Sequence, residues 1–215
     1  MAQMVRPQHA SRDLRMGLFI ALDRESATYQ SKLRGNGQTG RGNGNAARPV
    51  SRTHDELLTA VVALKDSVAI PVLANSLGTG MTPVRALVEF GPTAVASTLR
   101  VTNASASEHE QVADGLLTLR LIVENAALRP LTPSARARVH DAAASRLNGA
   151  QSVDVLERAI DLGVVLGDAD LRLTVEKLAS SGAEVEQRGI PPNRVAQVQR
   201  IARQRLDGVP AQPRR

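Results

Sequence analysis

The stretch "MTPVRALVEFGPTAVASTLRVTN", residues 81–103, predicts two consecutive helices joined by one sharp turn. Thr82 is a typical helix N-cap, and Pro83 fits the first helical position because an N–H there has no partner within the helix. Gly91 is expected to end this helix, and Pro92 to begin the next one at once. Two helices separated by a single Gly-Pro step must fold back on each other, so the stretch predicts an antiparallel helical hairpin.

Similar segments recur along the chain from residue 53 to residue 208. Apolar residues repeat at helical spacing, and Gly, Pro or an N-capping residue separates one segment from the next, as at Thr132-Pro133. We expect about nine or ten helices with short turns and no strand. Helices with short connections lie antiparallel, so the expected fold is all-α: a right-handed α-solenoid of stacked antiparallel helical hairpins.

The segment "LRGNGQTGRGNG", residues 33–44, carries Gly35, Gly37 and Gly40 at the spacing of a dinucleotide-binding loop. No strand precedes these glycines and no helix follows them, so a nucleotide site is not expected. Their surroundings are typical of a flexible linker, although an Arg/Gly segment that binds nucleic acid also fits. We therefore predict an N-terminal amphipathic helix or tail over 1–34, a linker over 35–52, a helical domain over 53–208 and a basic tail over 209–215.

Positive charge is concentrated at the two ends of the chain. Residues 1–52 hold nine Lys and Arg against three Asp and Glu, and residues 188–215 hold seven against one. Residues 53–187 hold eleven against seventeen, which makes a poor surface for a phosphate backbone. The chain has no cysteine, which excludes disulfides, thiolate metal sites and a cysteine nucleophile. No apolar run approaches the roughly 18–20 residues that a membrane span needs.

Two motifs near helix starts resemble metal or carboxylate sites without completing one. His109 and Glu110 begin the zinc-protease pattern H-E-x-x-H, but Ala113 stands where the second histidine ligand is required. Asp168 and Asp170 fit the N-terminus of a helix, where free N–H groups and the helix dipole favour carboxylates. Neither motif predicts a metal site.

Two further groups resemble parts of a catalytic centre. Glu157 and Asp161 lie one helical turn apart, which fits a solvated helix face better than an acid–base pair. His140 stands beside Asp141, but no serine completes a triad in this pattern. The sequence therefore predicts no catalytic residue, no metal site and no cofactor.

Residues 60–102, "AVVALKDSVAIPVLANSLGTGMTPVRALVEFGPTAVASTLRVT", resemble HEAT repeats. Asp66 fits the turn inside a repeat, and Ile70-Pro71 and Val84-Arg85 fit the helices that follow. This resemblance implies a curved stack of helices whose concave face binds a partner. HEAT-like proteins include scaffold subunits and also alkylpurine DNA glycosylases. A glycosylase needs a basic groove with several aromatic side chains, whereas the helical region contains only Phe90.

These observations lead to two functional hypotheses. The first is a non-enzymatic HEAT-repeat interaction module or scaffold that binds another protein. The second is a nucleic-acid-associated protein that binds through its basic N-terminal segment and its basic last helix. The side chains expected to contact an anionic partner are Arg34, Arg41, Arg48, Arg52, Arg194, Arg200, Arg203 and Arg205. Phosphate contacts would make binding strongly salt-dependent, which separates the two hypotheses.

Overall fold

The computed structural model describes residues 12–37, 52–104, 107–149 and 152–208, and every regular element in these ranges is a helix. The all-α expectation is confirmed for these residues. Short 3₁₀ turns precede α3 and α5 and follow α6. The α-helices are α1 (Arg12–Gly37), α2 (Arg52–Ala63), α3 (Ile70–Asn75), α4 (Met81–Phe90), α5 (Val95–Asn103), α6 (His109–Glu124), α7 (Pro133–Asn148), α8 (Val153–Leu166), α9 (Ala169–Ser180), α10 (Gly182–Glu186) and α11 (Pro192–Asp207).

Two helix boundaries predicted from single residues are confirmed. Gly91 follows α4 with a φ of 62°, and its N–H donates to the carbonyls of Leu87 and Val88. This left-handed backbone conformation favours glycine, which explains why α4 stops there. Thr132 precedes α7, and its hydroxyl accepts a hydrogen bond from the N–H of Ala135. Each of these two boundaries depends only on residues within a few positions of it, so the sequence alone is enough to predict it.

The hairpin between α4 and α5 differs from the prediction on either side of its glycine. Helix α4 begins at Met81 with Gly80 as N-cap, so Thr82 lies inside the first turn and caps nothing. A 3₁₀ turn over Gly91–Ala94 separates the helices, and α5 begins only at Val95. Thr82 thus lies two residues after the N-cap position that its residue type favours.

Contacts between helices follow a regular order along the chain. Helix α1 contacts α3, which contacts α5, and the series continues through α7 to α9. A second series runs from α2 through α4, α6 and α8 to α11. The two series are joined by the pairs α1–α2, α3–α4, α5–α6, α7–α8 and α9–α11. Each helix thus packs on helices that lie no more than three places away along the chain.

The core is aliphatic, as the near absence of aromatic residues predicts. Phe90 is only half-buried, whereas Phe19 and Tyr29 are buried. The largest fully buried side chains are Leu22, Leu73, Leu77, Leu87, Leu116, Leu119, Ile122, Leu147, Leu156, Ile160, Leu162 and Leu171. Aliphatic side chains of similar size allow helices to approach closely along their whole length.

Helix α1 shares this core with the later helices. It contacts α2 and α3 and buries Phe19, Leu22 and Tyr29. An ion pair of 3.1 Å joins Arg15 to Asp66 in the connection between α2 and α3. The N-terminal helix is therefore packed against the helical domain.

The boundaries of the Gly-rich segment differ from those that its composition indicates. Helix α1 extends to Gly37, so Gly35 and Gly37 are helical. Arg52 is the first residue of α2. Residues 38–51, which include Gly40, and the tail over 209–215 lie outside the described residues.

Candidate functional site

A groove of about 540 Å³ opens where helices α2, α4 and α6 end. This volume falls within the range of about 300–1,000 Å³ that is usual for ligand pockets. Its apolar lining is contributed by all three helices and the turns that follow them: Val62, Ala86, Val88, Phe90, Pro92, Ile122 and Leu128. Its polar lining consists of Lys65, Glu89, Asn125 and Arg129.

Turns after two of these helices form the rim of the groove. Lys65, just after α2, has a φ of 50° and is the one non-glycine residue with a left-handed backbone in the described part of the chain. The Nη1 of Arg129 donates to the carbonyl of Glu89 at 2.6 Å, which ties the segment after α6 to the end of α4. Leu128, next to this arginine, is 85% exposed. The exposed leucine continues the apolar lining of the groove, and continuous apolar surface marks binding sites.

The groove combines an apolar wall with few polar side chains. Among the described residues that line it, Glu89 carries the one carboxylate, and none is a histidine, serine or aspartate. Phe90 and Val88 are half-buried and so remain accessible to a ligand. An apolar wall with a few charged groups at its rim is the usual arrangement of a peptide-binding groove.

Ser26 and His54 form a buried pair that the sequence pattern did not reveal. His54 is 1% exposed, and its ring stacks on Tyr29 with centroids 5.3 Å apart. Its Nε2 lies 3.2 Å from the hydroxyl of Ser26, and that hydroxyl lies 2.8 Å from the hydroxyl of Ser76. The two residues of the pair are 28 positions apart on different helices, so no local motif contains both.

The hydrogen bonds of Ser26 connect three segments of the chain. The hydroxyl of Ser76 is also placed to donate to the carbonyl of Val72 at 3.0 Å. The Nδ1 of His54 lies 3.6 Å from the carboxylate of Asp55, so both ring nitrogens have a polar neighbour. The direction of the Ser26–His54 and Ser26–Ser76 contacts depends on the tautomer of His54. The chain of hydrogen bonds joins α1, α2 and α3 and satisfies their buried polar groups.

Asp161 is buried, and the expectation of a solvated face is wrong for this residue. Its side chain is 4% exposed, and it accepts hydrogen bonds from Arg120 at 3.0 Å and from Arg205 at 2.5 Å. Arg158 lies 3.9 Å away on the same helix. Glu157 is half-buried and accepts from Gln197 at 2.8 Å. Three arginines thus surround the carboxylate of Asp161, and their ion pairs join α6, α8 and α11.

The arginines predicted to contact an anionic partner that fall within the described residues lie on three helices, α1, α2 and α11. Arg41 and Arg48 lie outside the described residues, and Arg34 lies within α1. Arg52, at the start of α2, pairs with Glu56 at 2.8 Å. Helix α2 contacts α1 and α4, whereas α11, which carries the other four arginines, contacts α8, α9 and α10.

The arginines of α11 differ in what they contact. Arg194 and Arg200 are exposed. Arg203 donates to the carbonyl of Ala179 at 3.0 Å, which holds α11 against the end of α9. Arg205 binds the buried Asp161. Two of the four side chains thus stabilise helix packing.

His140 joins α7 to the start of α9. Its Nε2 lies 3.0 Å from the carboxylate of Asp170, and its Nδ1 lies 3.5 Å from that of Asp141. Asp168 is the N-cap of α9, but its side chain pairs with Arg136 at 3.0 Å and does not cap the helix. Asp168 and Asp170, both expected at this N-terminus, therefore form ion pairs with side chains of α7.

The pKa values of His140 and Asp170 shift in the directions that favour their ion pair. Burial lowers the pKa of His140, but the hydrogen bonds to Asp170 and Asp141 outweigh it, so the pKa is raised above its ordinary value. The hydrogen bond from His140 lowers the pKa of Asp170. Both charged forms are therefore more favourable in the folded chain than in the unfolded chain.

We expect the stability of the chain to fall as the pH rises through the pKa of folded His140. The raised pKa contributes stability that is fully present below the unfolded value of about 6.5 and is lost above the folded value. Thermal unfolding of the native chain and of His140→Gln between pH 5.5 and 8.5 measures this loss. The difference in Tm between the two should be largest at the acid end. If the difference in Tm between the native chain and His140→Gln stays the same at every pH, the ion pair contributes nothing to stability.

The described residues show no metal centre and no membrane span. No three histidine, aspartate or glutamate side chains gather closely enough to hold a metal ion in these ranges. None of the helices described is both long and apolar enough to cross a bilayer. Comparisons with protein-family models, with curated proteins and with solved structures found no match to this chain.

Proposed function

We propose that the chain is a non-enzymatic interaction module of the HEAT type, which binds an apolar segment of a partner protein in the groove at the ends of α2, α4 and α6. The observation that carries this proposal is the continuous apolar lining from half-buried Phe90 to exposed Leu128. An amphipathic helix or short extended segment with two or three apolar side chains fits such a groove.

The order of helix contacts supports a stack of hairpins. In a solenoid, each hairpin contacts the one before and the one after it, so helices contact their partner in the hairpin and their equivalents in neighbouring hairpins. The two series α1–α3–α5–α7–α9 and α2–α4–α6–α8–α11 have this order. The groove lies at the ends of three consecutive helices of the second series.

The contacts of the basic side chains favour a protein partner over nucleic acid. Arg52, Arg203 and Arg205 are already engaged with Glu56, the carbonyl of Ala179 and Asp161. A nucleic-acid site would need such side chains available along a continuous path. The acidic balance of residues 53–187 acts against that path as well.

Leu128→Glu tests the proposal because Leu128 is exposed and its replacement leaves the core intact. Leu173→Glu is the matched control, since Leu173 is also exposed but lies on α9, outside the groove lining. The native chain should capture a discrete protein from lysate of the source cells, with and without nuclease. Leu128→Glu should weaken that binding by about 2 kcal/mol, or roughly 30-fold, because a carboxylate would replace an apolar contact. Leu173→Glu should not.

Two results would contradict the proposal. A partner captured equally by the native chain and by Leu128→Glu would show that the groove is not the binding site. Recovery that disappears on nuclease treatment and falls steeply with salt would instead support a nucleic-acid-associated protein.

A further inference from the structure

Four polar side chains from three helices converge on Asn75, the last residue of α3. The Nδ2 of Asn75 donates to the carboxylate of Asp23 at 2.7 Å, and its Oδ1 accepts from the Nη2 of Arg100 at 2.7 Å. Its backbone carbonyl accepts from the Nε2 of Gln30 at 2.7 Å and from the Nε2 of Gln111 at 3.0 Å. Asn75 therefore holds a carboxylate, a guanidinium group and two amides side by side.

These five residues line a cleft of about 320 Å³ between α1, α3, α5 and α6, which we call the Asn75 cleft. Its volume lies at the low end of the range of about 300–1,000 Å³ that is usual for ligand pockets. Among the described residues, none that lines this cleft also lines the groove at the ends of α2, α4 and α6. The Asn75 cleft is thus a separate concavity of a size that suits a small molecule.

The two glutamines turn their amide oxygens away from Asn75. A backbone carbonyl only accepts hydrogen bonds, so the nitrogen of each side-chain amide must face it. No described residue donates to the Oε1 of Gln30 or of Gln111. Gln111 is only 7% exposed, which makes an unfilled acceptor on it unusual.

The Oε1 of Gln111 is accessible from the cleft. In the described ranges, the one buried side-chain nitrogen or oxygen atom without a hydrogen bond is the Nε of Arg146. The Oε1 of Gln111 has no hydrogen bond either, so this oxygen must be reached by solvent. Because Gln111 lines the cleft and is otherwise almost completely buried, a donor in the cleft is able to fill this acceptor.

The Asn75 cleft offers acceptors for one ammonium group. The Oε1 atoms of Gln30 and Gln111 and the carboxylate of Asp23 belong to residues that all bind Asn75 directly. A primary ammonium group carries three N–H donors and no acceptor, so it matches three neighbouring acceptors. The charge of Asp23 strengthens such hydrogen bonds.

Arg100 supplies the opposite charge on the other side of the Asn75 amide. One of its five N–H donors binds Asn75, and the side chain is otherwise exposed. In the described part of the chain, neither Asp23 nor Arg100 forms an ion pair. The amide of Asn75 lies between them, so the two opposite charges are held close together without neutralising each other.

We infer that the Asn75 cleft binds a free α-amino acid in its zwitterionic form. The ammonium group binds the carboxylate of Asp23 and the amide oxygens of Gln30 and Gln111, and the carboxylate binds the guanidinium group of Arg100. An α-amino acid carries both charged groups on one carbon, which suits opposite charges held one amide apart. This site is independent of the proposed function, because it uses other residues.

Thermal unfolding of the full chain with each of the twenty common α-amino acids, at about 10 mM, is the first test. At least one of them should raise the Tm, because a ligand that binds only the folded chain stabilises it. Calorimetric titration then gives its affinity. The amide of this amino acid lacks the carboxylate, and its N-acetyl derivative lacks the ammonium group. Each should bind about 10- to 100-fold more weakly than the free amino acid.

Two variants at exposed positions assign the charged groups of the ligand. Asp23→Asn should weaken binding of the free amino acid about 10- to 100-fold. Arg100→Gln should weaken it similarly and should also remove the difference between the free amino acid and its amide, as a double-mutant cycle requires. Asp13→Asn and Arg85→Gln are the matched controls, because both residues are exposed and lie outside the cleft lining. A purely structural role would lower the Tm of the unliganded variants and leave the affinity unchanged.

Three results would overturn the inference. The first is that no amino acid raises the Tm. The second is that the amide binds as tightly as the free amino acid, which would indicate a site for an amine or for the amino terminus of a peptide. The third is that both variants bind the amino acid with native affinity, which would place the ligand elsewhere. None of these results bears on the groove, which Leu128→Glu tests separately.

Discussion

Asp161→Ala is expected to lower the free energy of unfolding by about 2–3 kcal/mol. The substitution removes the one carboxylate that joins α6, α8 and α11, and it leaves Arg120 three-quarters buried with Glu124 as its remaining partner. The expected loss lies at the low end for a broken buried ion pair, because Arg158 and Arg205 are able to turn toward water. Urea denaturation of both proteins measures the difference.

Two further variants separate the charge of Asp161 from its shape and position. Asp161→Asn keeps the hydrogen-bond acceptor and removes the charge, so it should cost about half as much. Glu157→Ala removes a half-buried carboxylate one turn earlier, which accepts a hydrogen bond from Gln197, and should cost less than about 1 kcal/mol. If Asp161→Ala costs no more than Glu157→Ala, the ion pairs of Asp161 do not hold the three helices together.

The structural features that the sequence predicted correctly depend on residues that are close together in the chain. The helical class, the stop at Gly91 and the cap at Thr132 each follow from spacing or from backbone preference within a few positions. The mainly aliphatic core follows from composition, since the chain has only two Phe, one Tyr and no Trp. These features need no knowledge of how distant segments meet.

The residues of the candidate site could not be found in this way. Asp161 is joined to Arg120 and Arg205 across 41 and 44 positions, and a helical period gives no information at such distances. In the sequence, Asp161 is a charged residue four positions after Glu157, and this spacing does not distinguish a buried carboxylate from an exposed one. The groove is likewise formed by the ends of three helices, none of which has an unusual sequence at its end.

A resemblance to a repeat family predicts how helices stack on each other, but it does not predict what the protein binds. On the proposal of a HEAT-type stack, the resemblance of residues 60–102 predicts which helices pack together, namely near neighbours along the chain. It does not predict Leu128 and Arg129, which lie in the connection after α6, beyond the 3₁₀ turn Asn125–Ala127. In such a stack, departures from the repeat would create the surface that distinguishes one protein from another.

Gly115→Ala is expected to destabilise the chain by about 1–3 kcal/mol, although alanine is the better helix former. A methyl group at this position of α6 would lie 2.2 Å from the hydroxyl oxygen of Thr102 on α5. Thr102 is fully buried, and its hydroxyl donates to the carbonyl of Thr98 at 2.8 Å, so it has no free space to enter. Gly17→Ala is the control, because nothing lies within 4 Å of a methyl group there. That variant should gain up to about 1 kcal/mol from helix propensity alone.

Thr102→Ala distinguishes steric overlap from any other effect of the methyl group at Gly115. Alone, it should cost about 1 kcal/mol through the loss of a buried hydrogen bond and a methyl group. In the double variant the hydroxyl that the new methyl would strike is absent, and the nearest remaining atom of Thr102, its Cβ, lies at 3.4 Å. Melting curves of the four proteins should therefore give a double variant more stable than the sum of the single losses predicts. Additive losses would mean that α5 and α6 are not held apart by this contact, and that Gly115 serves some purpose other than their close approach.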